Sequence, residues 1–100
     1  MIMPPLSVLA DPTRQRIVEM LASGALSSGE IASRFGLSAP AISQHLKTLR
    51  EARLVKVTPK AQRRIYELDP AGVDELSRWV ERLRAFWSVK LDALEEELRK

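Results

Sequence analysis

In LSAPAISQHLKTLREARLV, residues 37–55, the apolar residues Leu37, Ile42, Leu46 and Leu49 recur at helical spacing. Ser38 is placed to cap a helix that begins there, Pro40 is tolerated in its first turn, and the helix is expected to run to about Ala52. On a wheel of ~100° per residue, Pro40, Gln44, Lys47, Thr48 and Glu51 lie opposite the apolar line, with Ala39 and Ser43 flanking them. His45 falls nearer the apolar stripe. One side of this short helix is built for a core. The other offers amide, hydroxyl and ammonium groups to something outside.

Working outward, Ser27-Ser28-Gly29-Glu30 fits a capping box and opens a short helix with Ile31, Ala32 and Phe35 inward. Gly36 ends it, and the Phe35-Gly36-Leu37-Ser38 turn joins the pair as a helix-turn-helix, residues 27–52. Upstream, Asp11-Pro12 reads as a cap followed by a first-turn proline, and Ile17, Val18, Met20 and Leu21 carry that helix's apolar face up to a stop at Gly24. Downstream the period changes to two. Residues 54–58 and 64–68 read as strands around Pro59-Lys60-Ala61-Gln62, a β-hairpin tipped by Lys60, Arg63 and Arg64.

Asp69-Pro70 repeats the cap-and-proline signal, and no glycine or proline follows Gly72, so a helix over about 70–98 is expected. Val73, Leu76, Val80, Leu83, Trp87, Leu91, Leu94 and Leu98 follow steps of three and four, widened by Trp79 and Phe86. Such a helix is ~40 Å long, whereas a compact domain of this size has a radius of gyration of ~13 Å. Part of the stripe must overhang its own fold, and a symmetric dimer is the simplest cover; the alternative is a kinked helix that folds back on its own core. Leu83, Phe86, Trp87, Leu91, Leu94 and Leu98 are the expected interface.

Composition narrows the function. With no cysteine, disulfides, thiolate metal sites and cysteine nucleophiles are excluded. No apolar run approaches the ~20 residues that span a bilayer, and the start MIMPPLSVLADP lacks a basic n-region and a long h-region, so a cytoplasmic protein without membrane contact is expected. Residues 1–64 hold ten Lys and Arg against four Asp and Glu, while residues 65–100 hold six against nine. The densest basic stretch is Lys47, Arg50, Arg53, Lys56, Lys60, Arg63 and Arg64 against Glu51 alone, a patch that would attract a polyanion such as nucleic acid unless it is simply a solvated surface that binds nothing. No nucleophile with a spare base and no glycine-rich phosphate loop is present, so an enzyme is not expected.

The combination Leu9-Ala10-Asp11-Pro12-Thr13-Arg14, Ile31-Ala32, Ser38 through Leu49, Leu54-Val55 and the wing residues Arg64, Tyr66 and Leu68 resembles the ArsR (arsenical-resistance repressor) family of winged helix-turn-helix regulators. The resemblance covers about residues 6–69, and the Phe86-Trp87 pair with the Leu-Glu-rich tail is similar to a subgroup of that family. One hundred residues make one domain, 1–100, and the resemblance implies that it is mainly α with a β-hairpin wing at about 54–68. It also implies a homodimeric transcriptional repressor that dimerises through its terminal helices. Helix 38–52 would read the major groove of a double-stranded DNA operator, and the wing, 59–64, would contact backbone or minor groove. Two departures stand out: Arg53 occupies a position where the family commonly has glycine, and Ala61-Gln62 replaces the usual wing-tip glycine.

Residue chemistry assigns the contacts. Gln44 can pair bidentately with adenine, Ser43 can meet several base edges, and Ala39 or Pro40 a thymine methyl. Lys47, Thr48, Lys60, Arg63 and Arg64 suit phosphates. Ser38 caps the helix, and the amides it leaves exposed can also meet a phosphate. His45 either touches DNA or bonds internally. The family's metal and thiol sensing sites are absent, since Asp74, Glu75, Glu81, Asp92, Glu95, Glu96 and Glu97 are hard oxygen donors suited to the solvated side of a helix. No cofactor is expected, and any inducer or partner protein is unidentified. The rival readings are a protein-interaction module built on the winged helix and long helix, and a regulator that takes a small ligand near Trp79 and Trp87.

Overall fold

The computed structural model describes residues 4–99; the first three residues, part of the stretch weighed above as a signal segment, and Lys100 lie outside it. In chain order come α1 (Pro4–Val8), α2 (Pro12–Ala22), β1 (Leu26–Ser27), α3 (Ser28–Ser33), α4 (Ala39–Glu51), β2 (Val55–Lys60), β3 (Arg63–Leu68) and α5 (Pro70–Arg99). The strands form one antiparallel sheet in the order β1-β3-β2. This is a mostly helical winged fold with a long terminal helix.

The helix starts follow the caps. The Asp11 carboxylate accepts from the Arg14 amide at 3.0 Å, and Ser38 Oγ accepts from the Ala41 amide at 3.3 Å. Ser27 and Glu30 close a full capping box, Glu30 N–H to Ser27 Oγ at 3.1 Å and Ser27 N–H to Glu30 Oε1 at 2.9 Å. Each cap satisfies amides that a helix start leaves without partners. The apolar faces then meet in one core of Ile17, Leu21, Ile31, Ile42, Leu46, Leu49, Leu54, Val55 and Tyr66. Leu37, placed on the apolar stripe by its spacing, instead stands 41% exposed in the turn before α4. It precedes the Ser38 cap, so the helical period does not reach it.

Two elements have no counterpart in the sequence pattern. β1 is two residues long and exists by pairing with β3, Leu26 opposite Tyr66 and Ser27 opposite Ile65. α1 is five residues, too short to show a period, and packs against α5 and α4.

Both positions that lack the family's glycine adopt the left-handed conformation, Arg53 at φ 61° and Ala61 at φ 58°. At Arg53 the reason is the end of α4. The Arg53 amide donates to Arg50 O at 3.0 Å and the Leu54 amide to Leu49 O at 3.0 Å, the paired bonds of a Schellman cap in which Arg53 is the residue that turns left-handed. At Ala61, the register sets Lys60 opposite Arg63, so Ala61-Gln62 is a two-residue hairpin loop with positive φ at its first position.

α5 is uninterrupted over 30 residues. Gly72 is buried and Val73 packs on the core, but from Val80 onward the apolar residues stand open, with Phe86 52%, Trp87 54%, Leu94 56% and Leu98 77% exposed. The molecule measures 66 × 26 × 26 Å with a radius of gyration of 17.7 Å, well above the compact value. The overhang expected from the stripe is present. Among the described residues, no helix is long and apolar enough to cross a membrane.

Candidate nucleic-acid interface

α4 is held by Ile42, Leu46 and Leu49 in the core, which turns Ala39, Pro40, Ser43, Gln44, Lys47 and Arg50 outward. Ser38 is also exposed, its Oγ occupied as an acceptor by the cap while its own hydrogen stays available. Thr48 differs. It is half-buried, and its hydroxyl donates to Gln44 O at 3.1 Å, so the hydrogen a phosphate would need is already spent.

Strand alternation separates the two wing arginines. Arg63 turns toward α3, where its Nη2 donates to Ser27 Oγ at 3.0 Å and to Glu30 Oε1 at 3.2 Å. Arg64, on the opposite strand face, lines a cleft with Ser43, Gln44, Lys47, Arg50 and Tyr66, and also borders the hollow beside Arg63, Ser27 and Glu30. Arg50 and Arg64 also bound a neighbouring hollow with Val57 and Pro59. Lys60 ends β2, exposed and opposite Arg63 in register.

The structure therefore gathers Ser43, Gln44, Lys47 and Arg64 from the residues given a DNA contact in sequence, and adds Arg50, which the sequence placed in the basic stretch without assigning it a contact. Among the described residues Lys47, Arg50 and Arg64 have no ion-pair partner. The signal for Arg50 was available: it follows Lys47 by three residues, one helical turn on the same face. A cleft lined by three cations without ion-pair partners among the described residues, together with an amide and a hydroxyl, fits a polyanion that also displays hydrogen-bonding edges.

Two carboxylates behind this surface are held below their ordinary range. The Ser27 amide, then the Ser27 hydroxyl, hold Glu30 down, and the Arg63 charge adds to them. The Arg14 amide lowers Asp11, with the Arg14 charge helping. His45 is half-buried on α4. Its Nδ1 lies 3.3 Å from Arg14 Nη1 and 3.9 Å from Asp11 Oδ2.

A sequence model of the arsR family of bacterial regulatory proteins matches residues 11–57. The chain is 50% identical over 80 residues to an HTH-type transcriptional regulator of Mycobacterium tuberculosis, covering 80% of this chain and 72% of that one. It is 33% identical to the transcriptional repressor SdpR of Bacillus subtilis, covering 72% and 80%. A crystal structure described as a possible transcriptional regulator for arsenical resistance superposes with a TM-score of 0.77 at 38% identity, covering 96% of this chain and 97% of that one.

Proposed function

The chain belongs to the arsR family of bacterial regulatory proteins and is a DNA-binding transcriptional regulator, and from that premise we propose that it acts in the cytoplasm as a homodimeric repressor. The whole chain works as one winged helix-turn-helix unit. α4 enters the major groove, where Gln44 and Ser43 meet base edges and Ala39 and Pro40 pack on a thymine methyl. Ser38, Lys47, Arg50, Arg64 and Lys60 take the flanking phosphates. Arg63 and Thr48 hold the interface in shape from behind, through Ser27, Glu30 and the Gln44 carbonyl.

The observation that carries this reading is the cleft in which Lys47, Arg50 and Arg64 converge beside Ser43 and Gln44 with no ion-pair partner among the described residues. The dimer is supported by the exposed stripe of Leu83, Phe86, Trp87, Leu91, Leu94 and Leu98 on α5, which its own fold leaves uncovered. That SdpR is a repressor supports the sign of regulation.

Selection of duplexes from a random pool by the full chain tests the assignment. A two-fold related pair of half-sites is expected, with Gln44→Ala relaxing preference at one base pair by about 1–3 kcal/mol. A pool that emerges unenriched contradicts it.

A further inference from the structure

Arg14 lies on α2, away from the cleft, yet it reaches the helix that carries the cleft. Its Nε donates to the Val8 carbonyl at the end of α1, at 2.7 Å. With one edge of the guanidinium fixed there, Nη1 is aimed at His45 Nδ1, 3.3 Å away. An arginine can only donate, so Nδ1 must accept, and the ring's single proton then sits on Nε2. Asp11 Oδ2 does not compete: it is 3.9 Å from Nδ1 and already accepts the Arg14 amide. Nε2 has no acceptor among the described residues, and the His45 side chain keeps 22% of its surface open. A neutral N–H without a partner is thus held on the α4 residue that follows Gln44.

We propose that Arg14 is a positioning residue for DNA binding: it fixes His45 as the Nε2–H tautomer, whose free N–H donates to a phosphodiester oxygen beside α4. The inference rests on the regulator reading above. It makes the contact sensitive to the α1–α2 corner, because the Val8 carbonyl orients the arginine that orients the ring. Since the donor is neutral, it adds affinity without releasing a counterion, which sets it apart from Lys47, Arg50 and Arg64.

His45 is the chain's one histidine, so its ring nitrogens are identified without assignment in the ¹⁵N spectrum of the full chain at neutral pH. The expected spectrum shows Nδ1 as unprotonated acceptor and Nε2 as N–H, with a mixture of tautomers in Arg14→Met. Anisotropy against one selected duplex across a salt series then compares Arg14→Met, His45→Ala and the double variant. Each should bind about three- to tenfold more weakly than wild type at an unchanged salt slope, and the double variant no more weakly than His45→Ala. His45→Ala leaves the Arg14–Val8 bond in place and carries the test should Arg14→Met fail to fold. An Nδ1–H ring in a chain that binds its duplex overturns the pair alone, as do unchanged affinity in His45→Ala or a slope reduced by about one in Arg14→Met. A wild-type chain that binds no duplex removes the regulator reading and the donor's role together.

Discussion

The Gly72 amide donates to the Arg53 carbonyl at 2.8 Å, and a Cβ on Gly72 would stand 2.2 Å from that same oxygen. Arg53 is the left-handed residue that closes α4, and Gly72 lies in the first turn of α5, where amides lack partners within the helix. The Asp69 amide to the Leu54 carbonyl, at 2.9 Å, adds a second tie. The end of α4 and the start of the overhanging helix are therefore joined backbone to backbone.

Gly72→Ala should lower stability by about 1–3 kcal/mol, because the new methyl meets a carbonyl held at both ends of the junction. Arg53→Gly should act the other way, adding about 0.5–1 kcal/mol by removing the left-handed penalty of a Cβ. Urea denaturation reads both as shifts in midpoint at constant slope. A neutral Gly72→Ala would mean that α5 can slide away from α4.

The wing arginines should separate by salt. Arg64→Ala should reduce the slope of log affinity against log salt by about 0.9, one phosphate. Arg63→Ala should leave the slope closer to wild type while lowering the melting temperature, since it loses Ser27 and Glu30. Equal slopes lost at both positions would show that Arg63 leaves Glu30 for a phosphate on binding.

Leu94 is 56% exposed in the single chain, on the part of α5 that its own fold does not cover. If the stripe closes the dimer, Leu94→Asp removes about 2 kcal/mol of apolar burial from each protomer and puts a charge there instead. Sedimentation equilibrium should then find monomer where wild type is dimer. An intact dimer would place the seam elsewhere.

Acid should weaken the α3 junction. Glu30 is depressed in the folded chain, so the stability it contributes is fully present above the ordinary glutamate value, about pH 4.3. That stability is lost as pH falls through the lower folded value. Glu30→Gln should therefore be less stable than wild type at neutral pH, with the difference closing under acid. Urea titrations at stepped pH check the convergence, and a gap independent of pH would locate the effect in packing.

What could be read in advance follows the range of the forces. Caps act over three residues, so Asp11, Ser27 and Ser38 announced their helices, and the α5 stripe announced its overhang. β1 depends on Tyr66, about forty residues away, and no local pattern could reveal it. At the interface, helical geometry placed Gln44 and Lys47 outward and alternation sets Arg63 and Arg64 on opposite strand faces, but which of the two meets α3 depends on where Ser27 and Glu30 sit. Arg14 and His45 meet across 31 residues of chain, through the packing of α2 on α4.

The most direct test of the regulator account is fluorescence anisotropy of the full chain against DNA from upstream of its own coding sequence, with scrambled DNA beside it, over a salt series. The account predicts selective binding whose affinity falls steeply with salt, at about 0.9 per neutralised phosphate. Binding that ignores salt, or no binding to any duplex, would contradict it and leave α4 and α5 as surfaces for a protein partner.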